Sequence, residues 1–271
     1  MNSVALGKPI ALGRTAEVYA WQDHQVLKLY FDWCPPGWIE TEAQVGRIVH
    51  AAGLPAPAVG EIVEVNERRG LVFERVEGIS MLDILLAKPW RVRRLARQFA
   101  ELHAAIHGCR ASDLPSQRED LGNAIRATQV LPSEVKIAAL RRLDGLSDGD
   151  VLCHGDLHPA NVMLTAHGAV VIDWIAATRG NSIADVARTL LLLTIGDPPG
   201  TLARLLVTFL RRTFCGTYLK HYFELRRGER AEITTWQPVI AAARLTENIA
   251  GEQEILLARV RAGFDERSRG V

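Results

Sequence analysis

The chain has 271 residues, 48% of them hydrophobic and 23% charged, with a formal net charge of +1. That composition is ordinary for a globular protein with one substantial domain or two lobes. It excludes the broad basic surface that non-specific nucleic-acid binding needs. The arginines at 91, 93, 94 and 97 alternate with Val92, Leu95 and Phe99 and read as the solvated face of a helix. Cys34, Cys109, Cys153 and Cys215 lie far apart with no C-x-x-C pair, which favours reduced thiols over disulfides or zinc. The densest apolar run, at 190–193, is far short of the roughly 18 residues of a membrane span. The N-terminus shows no signal-peptide pattern, so a cytoplasmic location is expected. Nothing in the sequence points to a protein partner.

The first part reads as a strand meander over 10–12, 17–21 and 25–30, with turns at Gly13-Arg14 and Gln22-Asp23. Lys28 sits late in the third run. Pro35-Pro36-Gly37 opens a helix that ends at Gly53 before Pro55 and Pro57; Ile39, Ala43, Ile48 and Ala51 mark its apolar side. Strands over 58–65 and 71–75 flank a turn at 66–70, and Ser80 is placed to cap the next helix. Residues 90–106 are periodic and predict a long helix ending near Gly108. Shorter helical patterns follow at 121–129 and 133–143. Three short apolar runs, 151–153, 162–164 and 170–172, predict strands that leave polar residues at their ends. From Thr201 onward the pattern is helical, at 201–218, 238–249 and 253–260.

Between those short strands lie the residues with chemistry. Val151 to Asn161 reads Val-Leu-Cys-His-Gly-Asp-Leu-His-Pro-Ala-Asn, and Val170-Val171-Ile172-Asp173 follows. An Asp, an Asn five positions later and a second Asp one hairpin beyond keep the spacing of the protein-kinase catalytic loop. The first Asp reaches the acceptor hydroxyl, while the Asn and the second Asp turn to a magnesium ion. Magnesium takes few protein oxygens when phosphates and water fill its other positions. His154 and His158 are four apart, but Pro159 breaks the loop and no further ligands stand nearby, which disfavours zinc.

The strings HGDLHPAN (residues 154–161), VIDW (171–174) and LHAAIH (102–107) resemble the aminoglycoside phosphotransferase and choline kinase-like family, from about Leu12 to at least Ala187. Gly155 stands where protein kinases have Arg, as it does in that family. The resemblance implies an α+β, bilobal protein-kinase-like fold. A small antiparallel sheet and one main helix would form a nucleotide-binding lobe at 1–77. A mostly helical catalytic and acceptor-binding lobe, including the 109–149 insertion, would occupy 78–271. It implies ATP as cofactor, with GTP open, and Mg²⁺.

By the same resemblance, Asp156 is the catalytic base, Asn161 and Asp173 hold the metal, and Lys28 pairs with nucleotide phosphates. Glu42 orients Lys28; Glu40 competes, and Glu42 is preferred because it precedes the small Ala43. Gly13-Arg14-Thr15-Ala16 replaces a glycine-rich loop, so backbone N–H groups near Arg14 and Thr15 would cradle a phosphate. The Glu74 carbonyl and the Val76 N–H would bond the adenine edge, with Phe73 behind. Asp185 braces the catalytic loop, and His103 packs beneath that loop, bonded to its backbone. His107 is expected at the surface or behind the site.

Trp174-Ile175 replaces Phe-Gly, and no A-P-E element follows, which argues against a protein substrate. The expected acceptor is a hydroxyl of a small molecule. Basic residues outnumber acidic ones beyond Thr201, which disfavours a polycationic aminoglycoside; Glu247, Glu252 and Trp236 are the residues to watch there. Trp236 would stack on an acceptor or pack in the core. The alternatives are a choline, amino-alcohol or lipid-head-group kinase and a nucleotide-binding regulatory pseudoenzyme.

Overall fold

The computed structural model describes residues 6–195 and 201–264. In chain order the elements are β1 (Ala11–Leu12), β2 (Ala16–Ala20), β3 (Gln25–Tyr30), α1 (Pro36–Ala51), β4 (Val59–Val65), β5 (Arg68–Glu74) and β6 (Ile79–Ser80). Then come α2 (Met81–Ala87), α3 (Val92–Ile106), α4 (Gln117–Ala127), α5 (Ser133–Gly145), β7 (Val151–Cys153), β8 (Val162–Thr165), β9 (Gly168–Val171) and β10 (Thr178–Gly180). The chain closes with α6 (Ser182–Thr194), α7 (Thr201–Leu225), α8 (Glu232–Arg244) and α9 (Gln253–Phe264). These elements form two compact units. One takes the described residues up to Asp83 together with Pro159–Ala177; the other takes Ile84–His158 and the described residues from Thr178 on.

The first unit is built on a five-stranded antiparallel sheet in the order β1-β2-β3-β5-β4. Alternation along β3 sorts its side chains. Leu27 and Leu29 pack with Tyr19, Val65 and Val72 on one face. Tyr30, and Lys28 with it by the period of two, belong to the face covered by Ile39 and Ala43 of α1. The β4–β5 hairpin turns at Asn66 and Glu67, both with positive φ, 51° and 66°. That is the two-residue geometry whose twist matches paired strands, tighter than the 66–70 turn expected. Helix α1 lies close on the sheet: a Cβ on Gly46 would sit 2.2 Å from Val59 Cγ2. Strands β6, β8 and β9 make a separate three-stranded sheet in this unit.

The second unit is helical apart from the β7–β10 pair. Phe99 of α3 meets Phe214 and Tyr218 of α7 edge to face. Trp236 is 2% exposed in α8, so it packs the core. Helix α8 starts at Glu232 and carries Pro238 inside it. The sequence pattern starts this helix at 238, where proline suits a first turn; burial of Ile233, Trp236, Val239 and Ile240 carries the helix through it. All four cysteines are free thiols. No described helix is long and apolar enough to cross a membrane.

Candidate active site

Lys28 stands at the centre of a charged cluster in the first unit. Its Nζ donates to Glu42 Oε1 at 2.6 Å and to Asp173 Oδ1 at 2.8 Å. Tyr30 donates its hydroxyl to the other oxygen of Glu42. The helix period explains why Glu42 is the partner: it shares the buried stripe of α1 with Ile39, Ala43, Gly46 and Val49. Glu40 points elsewhere and pairs with Arg69 at 2.5 Å. Burial alone would lower the Lys28 ammonium, but Glu42 and Asp173 outweigh it and hold it above its ordinary value. Burial raises the Glu42 carboxyl, assisted by Asp173 and opposed by Lys28 and Tyr30. A buried carboxylate of this kind holds its place only while its cation stays.

Asp173 follows β9 with φ of 63°. Left-handed backbone is costly for most residues and tolerated by Asp. Trp174 fixes the turn behind it, donating Nε1–H to Val171 O at 3.0 Å, and Ala177 donates to Trp174 O. Asn161 ends a 3₁₀ turn and is 8% exposed; its carbonyl accepts the Ile172 N–H at 3.0 Å. Asn161 and Asp173 are thus linked through adjacent backbone and offer only oxygen donors, the set that fits a small hard cation. Arg14 and Thr15 occupy the β1–β2 turn, where the Thr15 carbonyl accepts the Phe31 N–H at 2.9 Å and the Cys34 thiol at 3.2 Å. Glu74 ends β5, its N–H bonded to Ala58 O and its carboxylate accepting the Ala58 N–H. Val76 lies in the irregular stretch between β5 and β6.

In the second unit Asp156 follows Gly155, whose φ of 75° lets the chain turn sharply after β7. The Asp156 N–H donates to His154 Nδ1 at 3.2 Å, and His158 Nε2 lies 3.7 Å from Asp156 Oδ2. Asp185, fully buried, accepts the His154 N–H at 2.8 Å and the Gly155 N–H at 2.9 Å. It also takes the Nε2 of His103 at 3.1 Å and of His107 at 3.2 Å. Because a carboxylate only accepts, both imidazoles must donate from Nε2. Each Nδ1 then accepts a tyrosine hydroxyl, Tyr218 for His103 and Tyr222 for His107, both at 2.7 Å.

These three residues are also the described group with metal-ligand spacing. Their ligand atoms, however, already serve one another in a closed hydrogen-bond network. One expectation changes here: His103 reaches the loop through Asp185 and not by a bond to the loop backbone. His107 is fully buried and bonded to Asp185, behind the site, the second of the two places expected for it.

The network has a pH signature. Burial and the neighbouring His103 hold His107 down to about 4, against the opposing pull of Asp185. Above pH 6.5 the ring is neutral folded and unfolded alike and contributes nothing. Between 6.5 and 4 only the unfolded chain takes up the proton, so stability falls by up to about 3 kcal/mol as pH drops. Asp185, held well below its ordinary range, keeps its charge throughout that window. We expect unfolding by urea at pH 5 to cost about 2 kcal/mol less than at pH 7.5, and His107→Gln to flatten that difference. An equal slope in both proteins would contradict it.

A further pair of carboxylates, Glu247 and Glu252, is held by Arg188 and Arg244. The sequence reading watched the two acids and missed their partners. Arg244, one turn before Glu247, was visible as a helical i,i+3 pair; Arg188 comes from a distant helix.

The chain matches the model of a family described as phosphotransferase enzymes over residues 7–223. No curated protein matches it. Among solved structures it is similar to an aminoglycoside-3'-phosphotransferase of type VIII, with TM-score 0.61 and 21% identity over 90% of this chain and 92% of that one. It is also similar to amicoumacin kinase hAmiN, with TM-score 0.62 and 14% identity over 96% and 88%. A choline/ethanolamine kinase family protein from Mesorhizobium loti gives TM-score 0.58 and 13% identity over 97% and 82%. At these identities the likeness is one of fold, which is the bilobal kinase-like α+β fold expected. The family match covers most of the chain, including Lys28, the Asp156–Asn161 string and Asp173, and on it the chain belongs to the phosphotransferase enzyme family.

Proposed function

We propose that the protein transfers the γ-phosphate of ATP to a hydroxyl of a small molecule. The observation that carries this reading is the Lys28–Glu42–Asp173 cluster, an ammonium fixed by one buried and one partly exposed carboxylate from separate segments. In the proposed chemistry Lys28 binds nucleotide phosphates and Glu42 holds it in place. Asn161 and Asp173 hold Mg²⁺, which when bound neutralises phosphate charge. Backbone near Arg14 and Thr15 cradles phosphate, and Glu74 and Val76 bond the adenine through their backbone. Asp156 orients the acceptor hydroxyl and takes its proton. Residues 1–77 would serve the nucleotide and 78–271 the acceptor, in the cytoplasm. The hAmiN structure is a complex with AMP-PNP and Ca²⁺, which supports nucleotide and divalent-cation binding on this fold.

The test is magnesium-dependent ADP release from ATP, with GTP in parallel, across polyols, nucleosides, amino alcohols and aminoglycosides. Acceptor-dependent release supports the reading. Nucleotide binding without turnover on any acceptor would favour a regulatory pseudoenzyme. Lys28→Met is expected to lower kcat/KM about 10²-fold, as loss of one charge-stabilising donor does. It should also reduce stability by about 3–5 kcal/mol, because Glu42 is left buried without its cation. Lys28→Met with Glu42→Gln should recover stability and not activity; recovery of both would remove Lys28 from the mechanism.

A further inference from the structure

The side of the second unit that carries Asp156 holds a chain of ion pairs. Arg188 of α6 donates Nε–H to Gly155 O at 3.0 Å, one residue before Asp156, and its Nη2 reaches Glu247 Oε1 at 2.5 Å. Arg244 of α8 bonds both oxygens of Glu247, at 3.2 and 3.1 Å. It grips Glu252 bidentately, Nε to Oε2 at 2.7 Å and Nη2 to Oε1 at 2.9 Å. The Arg244 side chain is 7% exposed, Glu252 13%, Arg188 16% and Glu247 26%. Asp156 also acts electrostatically on Arg244. Two guanidinium groups therefore stand against two carboxylates beside the proposed base.

A cationic acceptor needs carboxylates whose charge is not already spent. Here an ammonium would have to break a bidentate guanidinium pair in a poorly hydrated site, and stripping one partner from such a pair is costly. An anionic acceptor meets the mirror problem, since both guanidiniums are committed. Hydroxyls meet neither: an uncharged O–H group can donate to or accept from polar atoms without displacing either partner of an ion pair. Resting on the phosphotransferase reading above, we propose that the acceptor is an uncharged polyol, and that Arg188 and Arg244 determine this by neutralising Glu247 and Glu252.

The test has two arms. In the first, wild-type enzyme is assayed on matched compounds: glucose, glucosamine and gluconate, with myo-inositol, ribitol, choline and kanamycin beside them. Turnover with higher kcat/KM on an uncharged member than on its charged analogue supports the proposal; preference for glucosamine, choline or kanamycin overturns it. The second arm needs no turnover. Kanamycin, as a polycation probe, is titrated calorimetrically into wild type, Arg188→Gln and Arg244→Gln. Unmasking Glu247 should raise its affinity roughly tenfold or more; equal affinity in wild type and in a folded variant overturns the proposal. Arg188→Gln keeps this arm available if Arg244→Gln does not fold. Absence of nucleotide turnover on every acceptor would count against the phosphotransferase reading alone, because the kanamycin arm is read without it.

Discussion

Asp156→Asn should fold as the wild type does, bind nucleotide with unchanged affinity, and lose turnover by about 10²–10⁴-fold, the usual cost of losing a general base. The local structure separates those outcomes. The backbone N–H of Asp156 is bonded to His154 Nδ1, and the substitution leaves that hold on the loop in place. The turn itself depends on Gly155 at positive φ and on Asp185 beneath it, neither of which Asn alters. The Asp156 side chain is 30% exposed, so its carboxylate reaches solvent. Exchanging one oxygen for an amide keeps the shape and removes the proton acceptor. Parallel measurement of kcat, nucleotide affinity and thermal midpoint checks all three; wild-type turnover in a folded Asp156→Asn protein would end the assignment. The contrast with Lys28→Met is informative, since that change should weaken nucleotide binding and stability together.

Part of this was legible in the sequence, from local periodicity and from the family resemblance. The resemblance names Lys28 and Glu42 as a pair, and the structure joins them at 2.6 Å. The positions of Asp156, Asn161 and Asp173 follow from short apolar runs that must be strands. What stayed hidden depends on contacts across long stretches of chain or on backbone detail. Asp173 in the left-handed region leaves no mark in composition. The start of α8 lies before the expected 238 because Pro238 suits a first turn, whereas tertiary burial holds it inside the helix. The partner of Glu247, Arg188, lies 59 residues away on another helix, and no pattern within either segment announces it. Which of the two places expected for His107 it takes, the surface or behind the site, also depends on distant chain: Tyr222 and Asp185, 115 and 78 residues away.

Asp185 is the residue whose loss should cost the fold most. Four donors converge on it: two imidazole Nε2–H groups and the N–H groups of His154 and Gly155. The two imidazoles and the His154 N–H are buried and cannot turn to water when the carboxylate goes; Gly155 is only partly buried. Asp185→Ala is expected to lower unfolding free energy by at least about 3 kcal/mol, since each buried donor left without an acceptor costs about 1–3 kcal/mol. Asp185→Asn sharpens the argument. Its amide oxygen can take the place of Oδ2, which serves three of the donors, while its NH₂ then opposes the Gly155 N–H. One conflict in place of four lost acceptors should cost roughly 1–3 kcal/mol. The conflict falls one residue from Asp156, so turnover should drop in Asp185→Asn even at temperatures where the protein is fully folded. Urea unfolding of the two variants, with activity measured on the folded Asn protein, decides the matter. If Asn proves as damaging as Ala, the negative charge holds the network. If Asn folds and turns over like wild type, Asp185 does not position the loop.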